Sequence, residues 1–181
     1  SIVAEAVRLQ EMGVRELLLI AQDTTDYGHD LGLKDGLAHL LDEIVAAAPD
    51  IPWIRIMYAY PGYVTPRLME TMAKHDQVLP YLDIPLQHGS REVLKRMRRP
   101  ANVEWVHDTI GKLRETIPQL AVRTTFIVGY PGETDAEFAE LMKFVEDLQF
   151  DRVGAFQYSY EIGTPSATLP DHVDDDVKQA R

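Results

Sequence analysis

The residues with chemical potential fall in five short polar clusters, each directly behind an apolar run. Gln22, Asp23, Thr24 and Thr25 form the first, Tyr60, Pro61 and Gly62 the second, and Gln87, His88, Gly89 and Ser90 the third. Gly129-Tyr130-Pro131-Gly132-Glu133 and then Ser159, Tyr160 and Glu161 complete the set. Amides, carboxylates, an imidazole and phenols gathered in this way suit the binding of a polar ligand. Turns after strands favour such residues for turn chemistry alone, so the argument rests on their recurrence behind every run.

Three apolar runs enclose a charge: Arg55, Asp83 and Arg123. A buried charge is costly unless paired. Asp83 lies in the run between the other two, so an ion pair with either would fix strand register. Alternatively, Arg123 reaches a strand end and binds a ligand carboxylate, which a planar guanidinium does well.

Other chemistries are disfavoured. Gly129 to Glu133 lacks the Gly-Lys-Ser/Thr of a phosphate loop and the Gly-x-Gly-x-x-Gly of a dinucleotide site. Gly129 would let a ligand approach the strand end, and Pro131-Gly132 makes a tight turn. No Gly-x-Ser-x-Gly elbow surrounds Ser90, which reads as a helix N-cap. No lysine sits in a strand to form a Schiff base. The six histidines show no metal-ligand spacing, and the absence of cysteine excludes disulfides and any thiolate-held metal within these residues.

The clusters need elements to bring them together. Residues 16–21, 53–58, 81–86, 121–128 and 152–158 read as buried strands. Helical spacing separates them: Ile2, Val3, Ala6, Leu9 and Gln10; Leu37, Leu40, Leu41, Ile44 and Val45; Leu68, Met69 and Met72; Val103, Val106, Ile110 and Leu113; Phe138, Leu141, Met142, Val145 and Leu148. Thr65-Pro66 and Thr134-x-x-Glu137 mark helix starts. Strict alternation predicts parallel strands with right-handed crossovers, whose C-terminal ends share one rim. The opening helix implies a strand before it, so the expected fold is α/β, a partial parallel (β/α) barrel lacking its first strand. A complete, open doubly wound sheet is the rival. Residues 22–34 form a long non-periodic loop.

At 181 residues the chain has one domain's length, and its net charge of −11 argues against non-specific binding to a phosphate backbone. Arg91, Lys95, Arg96, Arg98 and Arg99 form a local basic patch. It is a candidate contact for RNA or an acidic protein, though a solvated helix face is the commoner reason for such a run. No apolar run approaches a membrane span.

Four blocks resemble the catalytic barrel of the radical S-adenosylmethionine methylthiotransferases. They are Glu16-Leu-Leu-Leu-Ile-Ala-Gln-Asp-Thr-Thr-Asp-Tyr-Gly28, residues 79–100, Arg123-Thr-Thr-Phe-Ile-Val-Gly-Tyr-Pro-Gly-Glu133 and Phe156-Gln-Tyr-Ser-Tyr-Glu-Ile-Gly-Thr-Pro165. Ile162 stands where the family more usually has an acidic residue. Leu-Asp-Ile-Pro-Leu-Gln-His-Gly-Ser, with Gln-Asp-Thr-Thr, is similar to the branch that modifies a ribosomal protein. The tRNA branch typically reads Leu-Pro-x-Gln-Ser-Gly-Ser.

The resemblance implies a TIM-like barrel, S-adenosylmethionine as cofactor and two 4Fe-4S clusters in a full-length enzyme. One cluster, on a Cys-x-x-x-Cys-x-x-Cys loop, would bind the cofactor and yield a 5′-deoxyadenosyl radical. The radical would open the way to methylthiolation of an aspartate β-carbon in the twelfth small-subunit ribosomal protein. By position, Gln22, Asp23, Gln87, Ser90, Arg123, Gly129, Tyr130 and Pro131 would line the cofactor site, with Arg123 on its carboxylate. His88 and Tyr158 would face substrate. Residues 1–170 would be part of the catalytic barrel, and 171–181 a linker towards a small C-terminal barrel. Without cysteines, this piece is expected to be cluster-free and inactive alone. The expected setting is cytoplasmic, with a ribosomal protein as partner, an RNA contact through the basic patch, an electron donor and no membrane. A tRNA-adenosine methylthiotransferase and a non-catalytic ribosome-docking module are the alternatives.

Overall fold

Helix and strand alternate from the first residues onward. The computed structural model describes residues 1–181. Two units emerge, residues 1–84 with 109–122 and residues 85–108 with 123–181.

The first unit opens with α1 (Ile2–Glu11), capped by Ser1, whose Oγ accepts from the Ala4 N–H. β1 (Glu16–Leu19), α2 (Gly36–Ala47), β2 (Trp53–Ile56), α3 (Pro66–Lys74) and β3 (Val78–Asp83) follow. The three strands pair in parallel and in chain order, with Glu16 opposite Trp53 and Leu19 opposite Ile56. Ile54 and Ile56 of the middle strand are wholly buried. α2 buries Leu37, Leu40, Leu41 and Ile44, and α3 buries Leu68, Met69 and Met72. Those positions recur at three and four residues, so each helix turns one apolar stripe inward. Thr65 caps α3 by accepting the Leu68 N–H, with Pro66 in the first turn. Asp42 ties α2 to α3 through Arg67 and His75. The hydrogen bond from His75 holds the Asp42 carboxyl below its ordinary range, with Lys74 and Arg67 adding to it and burial opposing.

The second unit holds α4 (Arg91–Arg96), the first turns of α5 (Val103–Thr116), β4 (Ala121–Val128) from Arg123 onward, α6 (Asp135–Leu148), β5 (Arg152–Gln157) and α7 (Asp175–Ala180). β4 and β5 run parallel without a break in register, from Arg123 opposite Arg152 to Val128 opposite Gln157. Burial alternates strictly along β4, so Thr124, Phe126 and Val128 point into the core. Phe126, Phe144 and Phe150 form an aromatic cluster with ring centroids 5.9 to 6.2 Å apart. Thr134 and Glu137 close the capping box of α6 in both directions.

Two expectations are modified. β3 begins three residues before the expected run and ends at Asp83, because Pro85 interrupts it. Pro80 within the strand cannot donate to a ladder, and the register between β2 and β3 shifts there. Arg55 does not turn to Asp83. It bonds Glu16 at 2.7 Å and stacks over the Tyr81 ring at 4.7 Å. Residues 171–181 carry α7, whose Lys178 is buried. No helix is long and apolar enough to cross a membrane.

Burial predicts the stability of the first unit. Ile54→Ala should cost about 3 kcal/mol in urea unfolding, the scale of a core truncation. Leu18→Ala, on a half-exposed side chain, should cost no more than about 0.5 kcal/mol.

Candidate functional site

In the second unit, the segments that follow three strands surround one cavity of about 490 Å³, lined by Gln87, Arg99, Thr125, Tyr130, Phe156 and Tyr158 among others. That volume falls in the range of small-molecule sites, roughly 300–1,000 Å³. Gln87 is placed by its backbone. Its N–H donates to the Thr125 carbonyl and its own carbonyl accepts the Ile127 N–H, each at 2.8 Å. The chain thus returns to β4 for one residue, opposite Phe126, after Pro85 has ended β3. Gln87 adopts a left-handed φ of 72° to do so.

Tyr130 and Tyr158 form an aromatic wall, with ring centroids 5.3 Å apart and planes at 75°. The Tyr130 hydroxyl donates to the Arg96 carbonyl. Burial raises its phenol above the ordinary value, Tyr158 adds to this, and Arg96 and Arg98 oppose it. The Tyr158 N–H is held by the Val128 carbonyl at 2.8 Å, while its buried hydroxyl has no protein partner. A buried hydroxyl without a partner is costly and suits a ligand acceptor.

The other expected residues of this unit lie elsewhere. His88 is 1% exposed, and its Nδ1 accepts the Ser90 N–H at 2.9 Å. The ring is therefore enclosed by protein. Ser90 occupies the N-cap of α4 but makes no capping bond, and its Oγ is buried without a partner. Gly129 has a left-handed φ of 72°, and the space a side chain would occupy is filled by the aliphatic stem of Lys178 in α7. Chain packing by itself demands glycine there. Pro131 is buried. Arg123 is the third residue of the eight in β4, roughly 16 Å short of the strand's C-terminal end at about 3.3 Å per residue. It does not line the cavity.

In the first unit, Asp23 accepts from the Thr25 N–H and hydroxyl, capping a short 3₁₀ turn at residues 24–26. The Tyr60 N–H donates to the Thr25 hydroxyl at 3.0 Å, and the Thr24 hydroxyl to the Met57 carbonyl. The polar segments behind β1 and β2 are thereby stitched together. Asp23 also lines a largely apolar cavity beside α1, β1 and α2, whereas Gln22 is exposed and does not.

The basic patch is mostly neutralised by its own neighbours. Arg91 pairs with Glu104, Lys95 with Glu92, and Arg96 with Glu137. Arg99 instead lines the cavity. Thr125 and Lys178 were missed by sequence reasoning. Alternation along β4 could have found Thr125, which falls on the face opposite Phe126. Nothing local signals Lys178, whose role depends on a distant turn.

A parallel α/β chain whose strand ends open on a mostly apolar cavity with a few polar groups is the architecture of a small-molecule enzyme domain. The model of the Radical SAM superfamily matches residues 1–145. The chain belongs to that superfamily. It is 56% identical to the ribosomal protein uS12 methylthiotransferase RimO of Roseiflexus castenholzii over 96% of its length, covering 36% of that protein. The corresponding proteins of Herpetosiphon aurantiacus and Clostridioides difficile are 53% and 47% identical, over 100% and 99% of this chain. The chain spans 39% and 40% of those two relatives. Among solved structures, it matches the radical S-adenosylmethionine methyltransferase TsrM from Kitasatospora setae, determined with cobalamin and a 4Fe-4S cluster bound. The TM-score is 0.65 and identity 15%, over 86% of this chain and 30% of that one. At that identity the likeness is one of fold.

One ion pair braces the cavity and sets a pH dependence. Arg96 donates to both Glu137 oxygens at 2.8 Å and to the Gly132 carbonyl at 3.1 Å. The hydrogen bond from Arg96 lowers the Glu137 carboxyl from 4.5 to about 2, with Thr134 contributing and burial opposing. Between those values the unfolded chain binds a proton that the folded one does not. The Glu137 contribution is therefore full above about pH 4.5 and is lost as pH falls towards about 2. Urea midpoints measured across this window should fall less steeply in Glu137→Gln, which should also be less stable at neutral pH.

Proposed function

We propose that this chain is the cofactor-binding part of a radical S-adenosylmethionine methylthiotransferase acting on ribosomal protein uS12. The observation that carries the reading is the cavity of the second unit, where Gln87, Tyr130 and Tyr158 from three separate strand ends share one lining. High identity to uS12 methylthiotransferases along nearly the whole chain supports the substrate.

The residues fit the nucleoside cofactor. Gln87 offers an amide, Tyr130 and Tyr158 offer ring edges, and the Tyr158 hydroxyl is a buried polar atom without a protein partner. Gln87 would orient the ligand from the left-handed corner, and the two tyrosines would exclude water from it. Arg99 would supply positive charge for an anionic group. When bound, S-adenosylmethionine supplies radical chemistry able to break an unactivated C–H bond.

The residues do not fit an iron–sulfur cluster. There is no cysteine, and no three His, Asp or Glu side chains cluster to hold a metal. The two 4Fe-4S clusters of the proposed enzyme would be held by residues outside these 181, and the isolated chain would be inactive. Stoichiometric iron and acid-labile sulfide on the purified chain would overturn this.

Two measurements test the function. The full-length protein containing this chain, reconstituted anaerobically with iron, sulfide, reductant and S-adenosylmethionine, should add the mass of one methylthio group to an aspartate of uS12. The same gain on tRNA adenosine, with uS12 unmodified, would replace this reading by the tRNA-modifying one. In the same enzyme, Gln87→Ala should weaken S-adenosylmethionine binding about tenfold, the scale of one lost hydrogen bond. Unchanged affinity would remove Gln87 from the site.

A further inference from the structure

Behind the cavity of the second unit lies a buried carboxylate that is not part of its lining. Glu133 has a fully buried side chain. One of its oxygens, Oε2, accepts the Gly129 N–H at 2.9 Å and the Tyr130 N–H at 3.4 Å. The same oxygen lies 3.3 Å from Nε2 of His88, itself fully buried. The other, Oε1, accepts from Nη1 of Arg181 at 2.6 Å. Arg181 also bonds Asp135 and lies over the Phe138 ring at 5.3 Å. A buried carboxylate is tolerable only when so fully engaged.

His88 has one tautomer available in this arrangement. Its Nδ1 accepts the Ser90 N–H, so that nitrogen carries no proton. The ring proton is therefore on Nε2, which lies 3.3 Å from the carboxylate without completing a hydrogen bond to it. Three segments meet at Glu133: the turn behind β3 through His88, the turn behind β4 through Gly129 and Tyr130, and α7 through Arg181. Gly129 and Tyr130 are where β4 gives way to the cavity wall, so the carboxylate holds the backbone from which the Tyr130 ring projects.

We infer that Glu133 is a positioning residue of the cavity, acting through the Gly129 and Tyr130 amides, with His88 as the Nε2-protonated tautomer. The network's relevance to the cofactor rests on the proposed function; the network itself does not. Its test therefore uses no cofactor.

Long-range proton–nitrogen correlation spectra of the 181-residue chain should show His88 protonated on Nε2 and bare on Nδ1. Hydrogen exchange of the Gly129 amide should be at least about tenfold faster in Glu133→Ala, as for a buried donor that loses its acceptor. Glu133→Gln keeps the shape and an acceptor but removes the charge. It should speed exchange less and displace the Tyr130 ring resonances. Asp42→Asn, in the first unit, controls for general loss of stability. It should leave the Gly129 and Tyr130 amides protected relative to the rest of the second unit. Should Glu133→Ala fail to fold, Glu133→Gln carries the test. A proton on His88 Nδ1 would overturn the inference. So would Gly129 exchange and Tyr130 resonances unchanged in Glu133→Gln, or moved equally by Asp42→Asn.

Discussion

Parallel pairing is the constraint on which the rest depends. Strands that run the same way release their next residues at the same end, whatever lies between them. Within the first unit this brings Thr24 and Thr25 beside Met57 and Tyr60. Within the second it brings Gln87, Tyr130 and Tyr158 around one space. Helix caps, the phenylalanine cluster and the Arg96–Glu137 pair keep those ends in place without themselves lining that space.

Much of this was legible because the signals are local. Apolar runs flanked by helical stripes gave all five strands, and Thr65-Pro66 and Thr134-x-x-Glu137 gave two helix starts to the residue. The clusters behind the strands were readable as clusters. What they do individually was not, because orientation is settled by partners distant in the chain. His88 looked like a ligand-facing imidazole but is enclosed between the Ser90 N–H and Glu133. Gly129 looked like a gap for a ligand and is filled by Lys178, whose own segment read as a tether. Arg123 falls early in a strand whose bounds the sequence already marked as 121–128, so its distance from the strand end was legible there.

The chemistry also divides cleanly between what these residues hold and what they lack. Rigid backbone, aromatic edges and amides are abundant, and thiolate metal ligands are absent. In the proposed enzyme these residues would therefore orient and shield, while electron transfer would depend on groups held elsewhere. The acidic balance of the chain sharpens the role of Arg99. Its neighbours Arg91, Lys95 and Arg96 are each engaged by a glutamate, which leaves it as the cationic member of the cavity lining.

Gln87 carries a quieter consequence. A left-handed backbone in a residue other than glycine costs of order 1–3 kcal/mol, and here it persists because two main-chain hydrogen bonds hold it. Glycine would occupy that corner at ease but would bring no amide to the cavity. Under the proposed function, selection for heat resistance and selection for molecular recognition would pull this position in opposite directions. A stabilised descendant of the chain would give up its glutamine here at the expense of recognition.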